Sequence, residues 1–469
     1  MQKNKKLYSL DEVESLKFDD VKKMYCDYLN RAQVDILHTF SFGRELLKSA
    51  SGEFLITDSG RKIFDATVSS GVMGLGHNHP RILNARENFN KRNCVELQKL
   101  LLSRYQAGLA NNLAAICPED LNKVFFCNSG SEAIEGAIKL AYKYHKGKRS
   151  KVLVSDIAFH GNLLGSGGMT SSSHKYFAFP TIDGIERFTY NDLDSLITSI
   201  EKSPREFYAL VVEPLSASSM IALSEEFIRK LVELCTKYEI ILIFDEIFTG
   251  MGKTGSYFAF EKYDVVPDIV TISKTLGGGK SSISSFVTRS TVYEKAYENM
   301  KDAYLHSTTY QGMGEECATA IESINIIHEE KLLGRVREIE EIAKVEFEKL
   351  MNANSDKVVD VRMHGSLFAV VLHPNIFSLI SKSLKLLPFE MTNDEAFVKK
   401  VYLSSIMSEM YETKDILLSF DTHKSIPLII SFPYIVSDKN IKSVIKSLSD
   451  VLGMNSLKLI TKFIKNKVV

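Results

Sequence analysis

At 469 residues, with 58 basic side chains balancing 58 acidic ones, the chain is too long for one minimal domain and carries no net charge to draw it to nucleic acid. Its 45% apolar and 25% charged residues are those of an ordinary soluble globular protein. Six scattered cysteines (Cys26, Cys94, Cys117, Cys127, Cys235, Cys317) form no Cys-x-x-Cys pair, which points to free thiols in a reducing compartment and away from a disulfide frame or a metal site.

The basic start Met1–Lys6 leads into no apolar run, so it is not read as a signal peptide. No apolar stretch is long enough to span a bilayer, and a cytoplasmic protein without membrane contact is expected. Residues 1–65 read as a charged, helix-like start followed by a hairpin, Glu53–Thr57 and Lys62–Phe64 around Ser59–Gly60. Between 66 and 330, short apolar runs alternate with helix-like stretches. The runs are Val124–Cys127, Lys151–Ser155, Tyr208–Glu213, Ile240–Glu246 and Ile269–Lys274; Ser131–His145 and Glu225–Tyr238 are two of the helices. Such alternation predicts a mostly parallel sheet with helices on both faces. Residues 331–469 continue a long charged helix (Glu329–Leu350) into strands near Val358–Val361 and Ser366–Leu372. The expected fold is therefore α/β: a large domain over 66–330, with a smaller α+β domain built from both ends of the chain. The tail Leu457–Val468 is amphipathic with four lysines and reads as a solvated terminal helix.

Ligands of an open parallel sheet sit outside the carboxyl ends of its strands, and the distinctive residues gather there. Asp245 ends one apolar run, where an unpaired charge is expensive to bury. Lys274 ends the next, with Gly277–Gly278–Gly279 behind it. A lysine that forms a Schiff base and a carboxylate that keeps a pyridine nitrogen protonated are what an enzyme needs to use pyridoxal 5′-phosphate. After Val124–Cys127, the amides of Gly130 and Ser131 open a helix and make a phosphate cradle. Phe159, with His160 beside it, offers a ring to stack on a planar cofactor, and Ile247 is placed to cover the other face. Glu213 supplies a further carboxylate at a strand end, able to orient neighbouring groups. A P-loop nucleotidase is the rival reading, because Gly252–Lys253–Thr254 and Gly279–Lys280–Ser281 resemble phosphate loops. Both lack the glycine five positions earlier, where Ile247 and Lys274 stand, and both follow the Asp-Glu strand instead of preceding it.

From Phe54 onward the chain resembles the class III pyridoxal-phosphate aminotransferases of fold type I. The resemblance runs through Gly76–Pro80, Asn128–Ala133, Phe159–Gly161, Asp245–Gly255, Ser273–Gly279 and His306–Gly312, and is greatest to the putrescine and ω-amine type. It implies that Lys274 carries the cofactor and shuttles a proton, that Asp245 pairs with the ring nitrogen, and that Phe159 and Ile247 sandwich the ring. It implies also that Gly130 and Ser131 hold the phosphate, and that Thr309 reaches the phosphate of a neighbouring subunit in a homodimer. Three positions depart from the pattern: Phe248 stands where many relatives have a glutamine near the cofactor's 3′-oxygen, Lys280–Ser281 replaces a proline-containing turn, and Met313–Gly314 replaces Asn-Pro or His-Pro. Asn162 and Ile429 stand where ornithine- and acetylornithine-specific relatives place arginines, so the expected donor is a diamine or alkyl amine and the acceptor a keto acid or aldehyde. The alternatives are an aminomutase, racemase or decarboxylase on the same cofactor, and a non-catalytic binding protein on the same scaffold.

Overall fold

The computed structural model describes residues 6–39, 41–97, 99–171, 181–297, 299–304, 306–377, 395–420 and 426–465. Near the N-terminal end, β1 (Leu47–Ser51), β2 (Phe54–Thr57) and β3 (Lys62–Asp65) form an antiparallel meander that contains the expected hairpin. Seven strands then build the central sheet: β4 (Leu121–Cys127), β5 (Lys151–Ser155), β6 (Ile185–Phe188), β7 (Phe207–Val212), β8 (Ile241–Asp245), β9 (Ile269–Ile272) and β10 (Ser284–Arg289). Their spatial order is β4-β10-β9-β8-β7-β5-β6. Strands β5 to β9 pair in parallel, whereas β10 runs antiparallel to both β4 and β9.

The central strands are buried on both faces, which is why they read as continuous apolar runs. Side chains alternate between two cores. On one face Ile241, Ile243, Ala209 and Val211 pack under the helix Gly130–Tyr144. On the other, Leu242, Phe244, Leu210 and Val212 pack with the helices Glu225–Lys237 and Gly314–Glu329. Asp245 is the next residue on the Ile241–Ile243 face and the last of β8, paired with Thr271 at the sheet's carboxyl edge.

A third core joins the two ends of the chain. Phe64 and Ala66 pack there with residues of β11 (Val358–His364), β12 (Leu367–Leu372) and the helices Glu395–Lys414 and Asp438–Leu452. Strand β13 (Ile416–Leu417) adds to β3 in parallel, while β14 (Ser419–Phe420) and β15 (Leu428–Ser431) extend the β11–β12 sheet.

Two expectations need correction. The charged helix expected over Glu329–Leu350 runs Leu332–Ala353, and Glu329 instead ends the preceding helix, Gly314–Glu329, the two being separated where Lys331 takes φ +54°. The break lets the second helix leave the central core at Leu332 and Val336 and enter the third at Ile339, Ala343 and Phe347. The tail helix, Ser456–Lys465, is not merely solvated: Leu459, Ile460 and Phe463 are buried, the first two in the third core. The last residues of the expected tail lie outside the described residues. No helix among the described residues is long and apolar enough to cross a membrane.

Candidate active site

Five strand ends converge on one cavity of about 390 Å³. Its lining includes Gly130, Ser131, Phe159, His160, Glu213, Asp245, Ile247 and Lys274, so the structure brings together eight of the nine expected site residues. Thr309 is the exception. It is exposed and lies outside this cavity, although its neighbour Thr308 accepts a 2.8 Å hydrogen bond from Nδ2 of Asn128, in the loop ahead of the helix Gly130–Tyr144.

Helix Gly130–Tyr144 starts where the expected cradle lies. Ser129 Oγ accepts the Glu132 amide, and Glu132 Oε2 accepts the Asn128 amide at 2.7 Å. The first amides of a helix have no partner within it, so those of Gly130 and Ser131 remain as donors at the positive end of the dipole. A Cβ on Gly130 would come within 2.9 Å of Ile247 Cδ1, and one on Gly161 within 2.2 Å of Ser131 Oγ. Glycine is therefore required sterically on both sides of the cradle.

Asp245 is buried and every oxygen is engaged. Oδ1 accepts from the Ile247 amide (3.0 Å) and Thr271 Oγ1 (3.3 Å), and Oδ2 accepts from His160 Nδ1 (2.7 Å). His160 Nε2 is buried without a hydrogen-bond partner. Glu213 is no solvated turn residue: it is only 4% exposed, and its two oxygens accept the amides of Phe159 (3.2 Å) and Ala217 (3.0 Å). Burial, reinforced by the charge of Asp245, pushes its carboxyl up to about 8.

Lys274 follows β9 with φ +49°, a left-handed backbone uncommon for a residue other than glycine. Its ammonium lies 4.4 Å from the centroid of the Phe248 ring. Burial brings the amine down to about 8, against the opposing pull of Asp245 and Glu213. Behind it lies a second lysine. Lys253 is 1% exposed, donates to Thr275 Oγ1 (2.9 Å) and the Gly250 carbonyl (3.4 Å), and is driven well below the ordinary lysine range by burial and by Lys274.

Sequence reading placed Lys253 in a failed phosphate loop and in the Asp245–Gly255 block without giving it a role, and it missed Val72, Ala217, Ser282 and Ile283 in the cavity wall. Val72 arrives through one turn of left-handed backbone, with φ of +45°, +47°, +60° and +86° at Val68, Ser69, Ser70 and Gly71. Such a turn is unfavourable by about 1–2 kcal/mol per non-glycine residue. The buried Asp65 holds it, accepting from the Thr67 and Ser69 amides at 3.0 and 3.1 Å and pairing with His77 at 2.9 Å. No signal in a β-branched valine followed by two serines announces that conformation.

A seven-stranded, largely parallel sheet with one antiparallel strand, a helix N-terminus, a carboxylate and a lysine at its carboxyl edge defines the fold type I architecture of pyridoxal-phosphate aminotransferases. Residues 43–452 match the class-III aminotransferase family, and the chain belongs to it. It is thus an aminotransferase, of a family that uses pyridoxal phosphate. Among solved structures, its fold is similar to that of a transaminase from the marine bacterium Virgibacillus, with TM-score 0.79 and 24% identity over 89% of this chain and 94% of that one. It is similar also to an ornithine aminotransferase from Toxoplasma gondii with pyridoxal phosphate at partial occupancy, at TM-score 0.77 and 20% identity, covering 94% and 96%. An acetylornithine aminotransferase from Elizabethkingia anophelis gives TM-score 0.69 and 22% identity over 87% and 93%.

Proposed function

We propose that this aminotransferase binds pyridoxal phosphate at Lys274 and moves an amino group from an amine without a carboxylate beside the reacting nitrogen, a diamine or alkyl amine, to a keto acid or aldehyde. The observation that carries the donor class is the composition of the cavity wall: among the described residues, no arginine lines it. Ile429, at one of the two expected arginine positions, is 8% exposed and packs in an apolar cluster with Leu215, Met220 and the edge of Phe248. At the other position, Asn162 is outside the lining and only its backbone amide reaches Ser131 Oγ, at 3.4 Å. Without a charge-assisted fork, an α-carboxylate forfeits about 1.5–3 kcal/mol of binding.

The residues present fit the cofactor. Two helix-terminal amides and Ser131 Oγ suit a phosphate, the space between Phe159 and Ile247 suits a flat ring, and Asp245 suits a ring nitrogen. When bound, pyridoxal phosphate supplies an aldehyde for the amine and a ring that takes up electron density. The protein's groups do the rest. Lys274 Nζ, with its proton affinity near 8, can take a proton from the substrate carbon and return one at neutral pH. Asp245 would oppose loss of the proton on a ring nitrogen, and Phe159 and Ile247, which both line the cavity, would cover the ring.

A homodimer completes the reading, with Thr309 of each subunit reaching its partner's phosphate. Exposed apolar side chains beside that segment support it: Val95, Leu101, Leu102 and Tyr304, each at least 69% exposed, line one open cavity of about 500 Å³ together with polar neighbours such as Glu96, Lys99 and Arg104. Exposed apolar side chains are what a subunit interface would cover.

The test is a comparison of kcat/KM for putrescine and a simple alkyl amine with those for ornithine and acetylornithine, together with the stoichiometry of acceptor consumed. The amines should win by tenfold or more. An α-amino acid ahead by tenfold would sink the donor class, and turnover without acceptor consumption would replace transamination by isomerisation or decarboxylation.

A further inference from the structure

Phe248 is partly buried and lines the cavity beside Lys274, packed from more than one element. Its ring packs at the edge of the Leu215–Met220–Ile429 cluster on one side. On the other it meets Gly71, where a Cβ would come within 2.9 Å of Phe248 Cε2 and where φ of +86° favours glycine. Two lysine amines address the same ring: Lys274 Nζ at 4.4 Å and Lys253 Nζ at 5.9 Å from its centroid. Thr275, next in sequence to Lys274, ties this unit together, since Oγ1 accepts from Lys253 and donates to the Gly71 carbonyl at 3.2 Å.

From this geometry we infer that Phe248 is the positioning residue for Lys274, its ring face holding the amine in place whenever the lysine is free of the cofactor, with Lys253 and Gly71 fixing the ring from behind. The inference rests on Lys274 being the cofactor lysine. A cation near an aromatic face is stabilised by the ring quadrupole, and more so when water is excluded. A lysine released into a cavity this size would otherwise sample several rotamers and leave the reacting carbon. The ring's pull also favours the charged amine, so it works with Asp245 and Glu213, and against burial, in setting the pH at which Lys274 loses its proton. His160, the other titratable group lining the cavity, is engaged with Asp245.

The experiment is competitive acetylation of the cofactor-free protein across pH 6–11, with the extent at Lys274 read by peptide mass spectrometry, in the parent, Phe248→Met and Phe248→Tyr. Methionine keeps an apolar, space-filling side chain without a π face, and tyrosine keeps the ring. The methionine variant should show a midpoint for Lys274 lower by about 0.5–1 pH unit, and the tyrosine variant the parent's midpoint. In the loaded enzyme, Phe248→Met should lower kcat with KM little changed. A methionine variant with the parent's midpoint, whatever its melting temperature, overturns the inference, as does a tyrosine variant that shifts as far as methionine. Borohydride reduction of the loaded protein separates the two levels: cofactor fixed to a lysine other than Lys274 defeats the proposed function, whereas the acetylation midpoints judge Phe248 alone.

Discussion

His160 Nδ1 donates to Asp245 Oδ2 across 2.7 Å, and both side chains are closed to water, at 1% and 4% exposure. With Oδ1 taken by the Ile247 amide and Thr271, the carboxylate is held from three elements and cannot rotate. A carboxylate locked in this way presents its remaining lone pairs in one direction.

Asp245→Asn should leave the fold and the cofactor attachment intact yet slow turnover by about two to four orders of magnitude. Replacing the charge by a neutral amide removes the partner of a buried cation, an effect of roughly 3–5 kcal/mol. Single-turnover kinetics on the purified variant provide the check, and an unchanged rate would show that the ring nitrogen has another partner.

His160→Phe removes the donor to Oδ2 while keeping a planar side chain. An unsatisfied buried acceptor is unfavourable by about 1–3 kcal/mol, so kcat should fall roughly ten- to a hundredfold. A structural role alone would lower the melting temperature without altering the pH dependence of the cofactor's visible band. The expected outcome is that both change.

The strand ends could be read in advance because their physics is local. An apolar run that ends in Asp245 or Lys274 is improbable unless something pairs with the charge. Strand β10, running antiparallel with its Ser284–Ser285 start, offered no comparable cue, and its place between β4 and β9 is a matter of topology. The helix break at Lys331 has neither glycine nor proline to mark it. Lys253 became part of the site only through folding, because its partner Thr275 is 22 residues away in sequence. Glu213 was placed correctly, but whether it faced water depended on the amides of Phe159 and Ala217, which no pattern in its own segment discloses.

Thr309→Ala should weaken retention of the cofactor without changing the chemistry at Lys274. Thr309 is exposed and follows Thr308, whose hydroxyl accepts from Asn128 ahead of the helix Gly130–Tyr144, which leaves it accessible to the neighbouring subunit of the proposed dimer. Loss of one charge-assisted hydrogen bond to phosphate corresponds to about 1.5–3 kcal/mol, or roughly ten- to a hundredfold in dissociation constant. Equilibrium dialysis against pyridoxal phosphate measures it, with sedimentation reporting the assembly state. A fully active monomer would contradict the shared site.

Glu213 makes the stability of the cofactor-free protein depend on pH in a direction that can be worked out. Its folded value, about 8, lies above the ordinary 4.5 because burial and Asp245 disfavour the charged form. The folded state therefore holds this proton more tightly than the unfolded state, and stability falls as pH rises from about 4.5, the loss being complete above about 8. Glu213→Gln does not titrate and escapes that loss. At low pH the variant should be the weaker protein, since both Glu213 oxygens accept backbone amides and the glutamine NH₂ must face one of those donors, a penalty of about 1–3 kcal/mol. As pH rises through the window, the gap should close and then reverse. Urea unfolding of parent and variant at intervals between pH 4.5 and 9 gives the two curves. Parallel curves would mean that Glu213 keeps an ordinary proton affinity in the fold, its two amide donors and Lys274 having outweighed its burial.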